Sequence, residues 1–444
     1  MTRAQRSRRT FSIARQYHAN ITTTEGNMNR TICLTIAAAL LLAPLAKAAD
    51  ARWYKGNLHT HTLWSDGDDF PEMVAQWYAD HGYNFLGLSD HNILSQGEKW
   101  MPMRKVRERG GNPPIEKYLK RFPDVMKVRQ SDQGEEVQLQ PLDVIKKLTE
   151  KPGEFLMIQS EEITGNYEVP SGDPAKPKQL PVHMNATNIQ ELVKPATGPS
   201  PREIMAANLK AIEEQSKRTG KPIVLHLNHP NFGWGVSAAD LASVIEEHYF
   251  EIYNGHPGVR QTGDAEHMSM EKMWDVCNTI RIAQMNSKPL FGLGTDDSHH
   301  YHVPGMSRAT PGRGWVMVRA KELTPDAITI AIRDGDFYAS SGVTLTDYSY
   351  DKSSKTIRLS IKPDGDATFT TQFIGTPKNF ADGGKTPLDS EKVGTVFKTQ
   401  EGSSAEYTLT GDELYVRALV TSSKAPQNPS YETQKAQAWT QPVQ

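Results

Sequence analysis

Two things are scarce in this sequence of 444 residues: cysteine and long apolar runs. Cys33 and Cys277 are its two cysteines. Cys33 falls in an N-terminal segment expected to be removed, so Cys277 has no intramolecular partner and a disulfide framework is excluded. Cys277 lies in EKMWDVCNTI, which reads as a helix, and is expected to be a buried, inert thiol. The one extended apolar run, TICLTIAAALLLAPLA, follows Met28-Asn29-Arg30 and ends in Ala46-Lys47-Ala48. It is shorter than the roughly 20 residues that cross a bilayer. Its charged start, apolar middle and small-x-small end are the anatomy of a secretory signal. The arginine-rich stretch before it makes Met28 the expected true start. No cysteine stands at the cleavage region to carry a lipid, so no membrane anchor is expected after cleavage.

Positive charge is also in deficit. Removing residues 1–48 takes away seven basic residues and one acidic one, leaving 43 Lys+Arg against 51 Asp+Glu, a net charge of −8. That balance argues against nucleic acid as the main partner. An exported protein, periplasmic or secreted, is the expectation.

What is present is length, enough for two or three domains, and an alternation of short apolar runs with amphipathic stretches from Arg52 to about Gly342. Buried strands are expected at 84–89 (NFLGLS), 154–159 (EFLMIQ), 222–227 (PIVLHL), 248–253 (HYFEIY) and 289–294 (PLFGLG). Helices are expected at 71–80, with proline at the first position, and at 201–220, closed by glycine. Phe70 stands where a small polar cap would be expected. This spacing favours a parallel sheet or barrel over a sandwich. Residues 95–153 read as an insertion with some helix of its own, a candidate lid, and 165–181 as a polar, proline-rich loop. Past Gly342, alternating runs such as TIRLSI, ATFTTQFIG and ELYVRALV, separated by turn residues, point to a small β-sandwich.

The chemistry gathers at the strand ends, where α/β sheets bind ligands. His59 and His61, two apart in NLHTHTLWSDG, share a face if the segment is extended, and Asp66 follows. His91 follows NFLGLSD, Glu161 and Glu162 follow EFLMIQS, His229 follows PIVLHLN, and Asp296, Asp297 and His299 follow PLFGLGT. His183 marks the return from the polar loop to an apolar segment. Each has an ordinary explanation alone: a strand cap for His91, turn chemistry before Pro230 for His229, a helix cap for Asp296-Asp297. Eight or nine ligand-type side chains on successive strand ends are hard to ascribe to accident. A mixed nitrogen and oxygen set suits Zn²⁺, Mn²⁺ or Fe²⁺ more than Ca²⁺. His226, His256, His300 and His302 lie nearby and are expected to support the ligands or face solvent, and Trp234 and Tyr253 to belong to core or pocket wall.

In order, His59-x-His61 with Asp66, Asp90-His91, Glu162, His183, His229 and Asp297-x-His299 resemble the motifs of the PHP family, named for polymerase and histidinol phosphatase. The resemblance runs from about Asn57 to Gly342; FYASSGV (337–343) is similar to the end of such domains, and AWTQPV (438–443) resembles the tail of members with an added β domain. It implies an α/β fold, a distorted (β/α)7 barrel at 50–342, followed by the all-β sandwich at 343–444, with 1–49 as extension and signal. It also implies a cluster of two or three divalent metal ions (Zn, Mn or Fe). His59, His61, Glu162 and Asp297 would hold the first, Glu162 bridging to a second held also by Asp66 and His91. His183, His229 and His299 would complete the second and third sites. Glu161 against Glu162 and Asp296 against Asp297 remain open, the D-x-H spacing favouring Asp297. The implied activity is hydrolysis of a small phosphorylated substrate, with His91 or His299 as proton donors and Arg308 or Arg313 meeting a phosphate. A metal-dependent amide or ester hydrolase, and a binding protein with an inactive barrel, are the alternatives; oligomeric state stays open.

Overall fold

Proline and a buried aromatic side chain together start the first helix. In the computed structural model, which describes residues 50–172 and 176–444, β1 (Arg52–Asn57) leads through α1 (Pro71–Asp80) to β2 (Phe85–Leu88). The expected signal and the Met28 start lie outside the described residues. Phe70 makes no side-chain cap hydrogen bond; it is buried, with its ring 4.5 Å from that of Tyr118. Apolar anchoring replaces the missing polar cap at that entry.

The insertion supplies β3 (Lys99–Pro102), α2 (Met103–Gly110), α3 (Pro113–Arg121), β4 (Val128–Ser131), β5 (Gly134–Leu139) and α4 (Leu142–Thr149). Its strands make a separate sheet in the order β3-β5-β4. Met101, Val106, Tyr118, Phe122 and Leu139 pack there with Leu63, Trp64 and Phe70, which follow the His59-x-His61 segment.

β6 (Leu156–Val169) and β7 (Lys178–Thr187) pair antiparallel from Ser160↔Thr187 to Val169↔Lys178. Most of the stretch expected as a polar loop at 165–181 is therefore a hairpin arm. Its proline and charge hid strands that lie half in solvent. A hairpin reverses the chain where a helical crossover would keep it parallel, so β7 also runs antiparallel to β8 (Val224–Leu227).

α5 (Pro201–Thr219) precedes β8, opened by Ser200, whose side chain accepts from Glu203 N, and closed by Gly220 in the left-handed region at φ 67°. α6 (Ala238–Ser243), β9 (Tyr249–Asn254), α7 (Met270–Ala283) and β10 (Phe291–Thr295) follow, with β8, β9 and β10 parallel. Cys277 on α7 is buried, and burial pushes its thiol up to about 12. β11 (Trp315–Ala320), α8 (Pro325–Arg333) and β12 (Phe337–Ser340) come next. The rest is β13 (Leu345–Asp351), β14 (Thr356–Ile361), β15 (Phe369–Pro377), β16 (Thr395–Glu401), β17 (Ser404–Thr408), β18 (Glu413–Ser422) and β19 (Gln437–Thr440).

The result is α/β with one large mixed sheet of thirteen strands, ordered β10-β9-β8-β7-β6-β2-β1-β11-β12-β19-β18-β15-β16. Thr60, past β1, and Ser298, past β10, form a parallel bridge. The seven strands between them therefore curl until their two ends touch, and Tyr54, Leu58, Phe85, Ile158, Val224 and Leu293 share a core cluster with Val316 and Val318 of β11. β19 pairs with β12 on one side and β18 on the other, so β15, β16, β18 and β19 continue the main sheet. β13, β14 and β17 form a second sheet, and Leu345, Ile357, Leu359, Phe373, Val416 and Val420 fill the space between the two.

Candidate metal centre

The segment after β1 is held by one carboxylate. Asp90 accepts hydrogen bonds from Thr62 N (2.8 Å), Ser65 N (3.0 Å), Ser65 Oγ (2.6 Å) and Thr62 Oγ1 (2.9 Å). Leu58 to Thr62 are all buried, and His59 and His61 both reach the interior.

His59 Nε2 lies 3.3 Å from Asp297 Oδ1 and 3.5 Å from Glu162 Oε2; His61 Nε2 lies 3.2 and 3.3 Å from the same two oxygens. Two nitrogens and two oxygens so form a ring. A tetrahedral ion with bonds of about 2.0–2.1 Å needs ligand separations of about 3.3–3.4 Å, close to the spacing of these four nitrogen–oxygen pairs. Asp66 gathers a second group: His91 Nε2 at 3.5 Å, His299 Nε2 at 3.4 Å and His61 Nδ1 at 3.6 Å. Glu162 Oε1 gathers a third, with His183 Nδ1 at 3.1 Å and His229 Nε2 at 3.7 Å. All nine side chains expected as ligands stand in these groups. Glu162 spans the first and third, and its Oε2 also lies 2.7 Å from His91 Nδ1.

Backbone geometry separates the adjacent carboxylate pairs. Asp296 turns away to accept from the backbone N–H of Gly312, Arg313 and Gly314 and from Tyr78 OH, whereas Asp297, at φ 50°, turns into the centre. Glu161 accepts from Val193 N on the other face of β6. Arg313 is enclosed and donates to the carbonyls of Gly255 and Gly305, so it shapes a loop; Arg308 is exposed, its guanidinium near enough to Asp68 and His300 to act on their charge.

Ring orientation is fixed from behind. His59 Nδ1 meets Glu251 Oε1 at 2.7 Å, His91 Nδ1 meets Thr164 Oγ1 at 2.6 Å, and His299 Nδ1 donates to the Asp297 carbonyl at 2.9 Å. For His59 and His299 this leaves Nε2 to face the centre, the arrangement that makes imidazole a good ligand, while His91 turns Nε2 to Asp66 and shares Nδ1 between Thr164 and Glu162. Glu251 also accepts from His229 N, Asn254 Nδ2 and Thr295 Oγ1. Sequence reasoning passed over Glu251, although a carboxylate inside the buried run HYFEIY was a usable signal. Asn228, which donates to Glu162 Oε1, and Asn185, which donates to the Leu58 carbonyl, gave no such signal.

Burial alone would raise the Glu162 carboxyl, but His91, His59 and His183 hold it well below the usual carboxylate range. Asp297 is likewise kept down against burial, by His59 and His61. His61 falls to about 3 through burial and its neighbours His299 and His91. Against burial, the same carboxylates raise His59 and His91, so the ionised carboxylates draw positive charge to the centre, the place a divalent cation would take. Two buried atoms at the centre, His59 Nε2 and His61 Nε2, have no hydrogen-bond partner. Unpaired buried polar atoms are costly and rare; a cation in the ring would satisfy both, so the residues fit metal.

No family model and no curated protein matches the chain. Among solved structures it is similar to a two-domain protein from Bacteroides vulgatus ATCC 8482 containing a predicted PHP-like metal-dependent phosphoesterase, at 14% identity over 88% of this chain and 96% of that one, with a TM-score of 0.37. PsfC from Pseudomonas syringae PB-5123 matches at 12% identity over 63% of this chain and 88% of that one, TM-score 0.30. A candidate metal-dependent phosphoesterase from Bifidobacterium adolescentis ATCC 15703 matches at 13% identity over 63% of this chain and 94% of that one, TM-score 0.27.

Proposed function

We propose that this chain is an exported, metal-dependent phosphoesterase that hydrolyses a small phosphorylated compound. The observation that carries it is the ring of His59, His61, Glu162 and Asp297 donor atoms at 3.2–3.5 Å, with the Asp66 and His183–His229 groups adjoining. The curled seven-strand run supports reading 50–342 as a distorted (β/α)7 barrel with one reversed strand, and 343–444 as a β domain fused to it.

The ring residues would hold one ion, Asp66 with His91 and His299 a second, and Glu162 with His183 and His229 a third. Divalent ions here would supply an activated water and neutralise charge on phosphoryl oxygens. The chain does the rest. Glu251 and Thr164 fix imidazole orientation, while Asp66, half exposed, marks the side open to substrate. Phe232, with its ring 5.1 Å from that of His229, closes another side with an apolar wall. Arg308 is exposed, near enough to His300 to act on its charge, and would attract an anion.

Phosphate release from 4-nitrophenyl phosphate with added Mn²⁺ or Zn²⁺, alongside elemental analysis of protein purified without chelator, tests the proposal. Turnover with two or three metals per chain is expected. Metal-replete protein inert toward phosphate esters but active on amides or lactones would replace it. Export predicts that protein recovered outside the cytoplasm begins at Ala49.

A further inference from the structure

Beside His299 lies a small pocket of about 280 Å³ lined by His256, Arg260, Gln261, Thr262, Ser430 and Tyr431, with no carboxylate in its wall. The His256 ring is 5.5 Å from that of His299 and 5.9 Å from Phe232, yet His256 belongs to none of the donor groups. Its place is built. Asn254 Oδ1 accepts from His256 N at 2.7 Å, and the Asn254 amide donates to Glu251 at 2.8 Å and Asp297 at 3.2 Å. Gly258 N donates to His256 Nδ1 at 2.9 Å. A ring nitrogen that accepts a backbone N–H carries no proton, so His256 is the neutral tautomer with its proton on Nε2. That nitrogen has no partner among the described residues and is not one of the buried unpaired atoms. The C-terminal segment brings the opposite wall: Ser430 Oγ meets Tyr253 OH at 3.1 Å, and Gln434 donates to the same hydroxyl at 2.8 Å.

Resting on the phosphoesterase proposed above, we infer that this pocket is its leaving-group subsite, that it takes a small hydroxylated alcohol such as glycerol or a sugar, and that His256 Nε2–H donates a hydrogen bond to the ester oxygen. Arg260, Thr262, Ser430 and Tyr431 offer hydroxyls and a guanidinium to such a group. The bookkeeping is that of hydrolysis. The oxygen of water bonds to phosphorus, the phosphorus–ester oxygen bond breaks, and a proton of that water ends on the departing alcohol. A donor aimed at that oxygen matters most when the alcohol is a poor leaving group, because more charge then develops on it.

The test compares wild type, His256→Ala and His256→Gln on glycerol 2-phosphate and 4-nitrophenyl phosphate, with metal content measured for each. His256→Ala is expected to lose about 100-fold in kcat/KM on glycerol 2-phosphate but only several-fold on the nitrophenyl ester, with unchanged metal content and partial rescue by Gln. Equal losses on both esters, or loss of metal, overturn the inference. If wild type hydrolyses neither ester the functional proposal fails, and calorimetric binding of glycerol 2-phosphate to metal-loaded protein then decides. An affinity about tenfold weaker in His256→Ala supports the subsite, and equal affinity overturns it.

Discussion

Glu251 touches no open position of the centre, yet it joins the imidazole of His59, the backbone of His229 and the side chains of Asn254 and Thr295. Replacing it with Gln puts an amide donor in place of one of its two acceptor oxygens, against His59 and Thr295 or against His229 and Asn254. Loss of such an orienting carboxylate costs about 10–100-fold in metal affinity, so Glu251→Gln should release metal to a competing chelator at correspondingly lower concentration; unchanged affinity would refute the orienting role. Glu247 behaves differently. It is buried, and burial, only partly offset by Tyr249 N and the nearby Arg281, pushes its carboxyl up to about 8 from an ordinary 4.5. The folded state binds this proton more tightly than the unfolded chain, so the stability it contributes is complete below about pH 4.5 and is lost as pH rises through 8. Glu247→Gln should therefore flatten the fall in Tm between pH 5 and 8 and melt higher than wild type at pH 8.5. A parallel curve would show that the proton is not held.

At the scale of elements, the entry to α1 sets two effects against each other. Phe70→Ser installs the polar cap the sequence lacks, worth about 1 kcal/mol, and removes a buried aromatic side chain, at a cost of about 3–5 kcal/mol. Net destabilisation of about 2–4 kcal/mol is expected in urea unfolding, and a more stable variant would show the cap to dominate. Asp90→Ala removes all four hydrogen bonds that hold the segment after β1 and should abolish metal retention, whereas Asp90→Asn, which keeps an acceptor, should retain most of it; elemental analysis separates the two. Strands such as β10 were legible because PLFGLG is apolar throughout, and the ligands because they follow such runs directly. The direction of β7 was not, since the arm of its hairpin is polar and a reversed strand leaves no local mark. Glu251 showed only as a charge inside an apolar run, and Asn185 and Asn228 are indistinguishable in sequence from any loop amide.

For the whole molecule, the deciding contacts are distant in sequence. Arg417 of β18 makes two hydrogen bonds to Asp275 of α7, at 2.9 and 2.8 Å, Tyr415 OH adds a third at 2.8 Å, and all three side chains are buried. Asp275→Ala would leave the buried guanidinium only the Glu271 carboxylate, at 3.5 Å, and should cost about 3–5 kcal/mol. Asp275→Leu combined with Arg417→Met, which buries neither charge, should lose less by thermal unfolding; a double variant worse than the single one would contradict this. No local pattern announced that pair, nor that β19 would be stitched between β12 and β18. That stitching reaches into synthesis. Tyr338 waits for Thr440, its pairing partner, through roughly a hundred residues, about 5–20 s at ordinary elongation rates. Throughout that interval β12 presents an unpaired edge, the surface on which chains aggregate. A nascent chain of this protein therefore carries a strand edge for chaperones to cover until β19 is made.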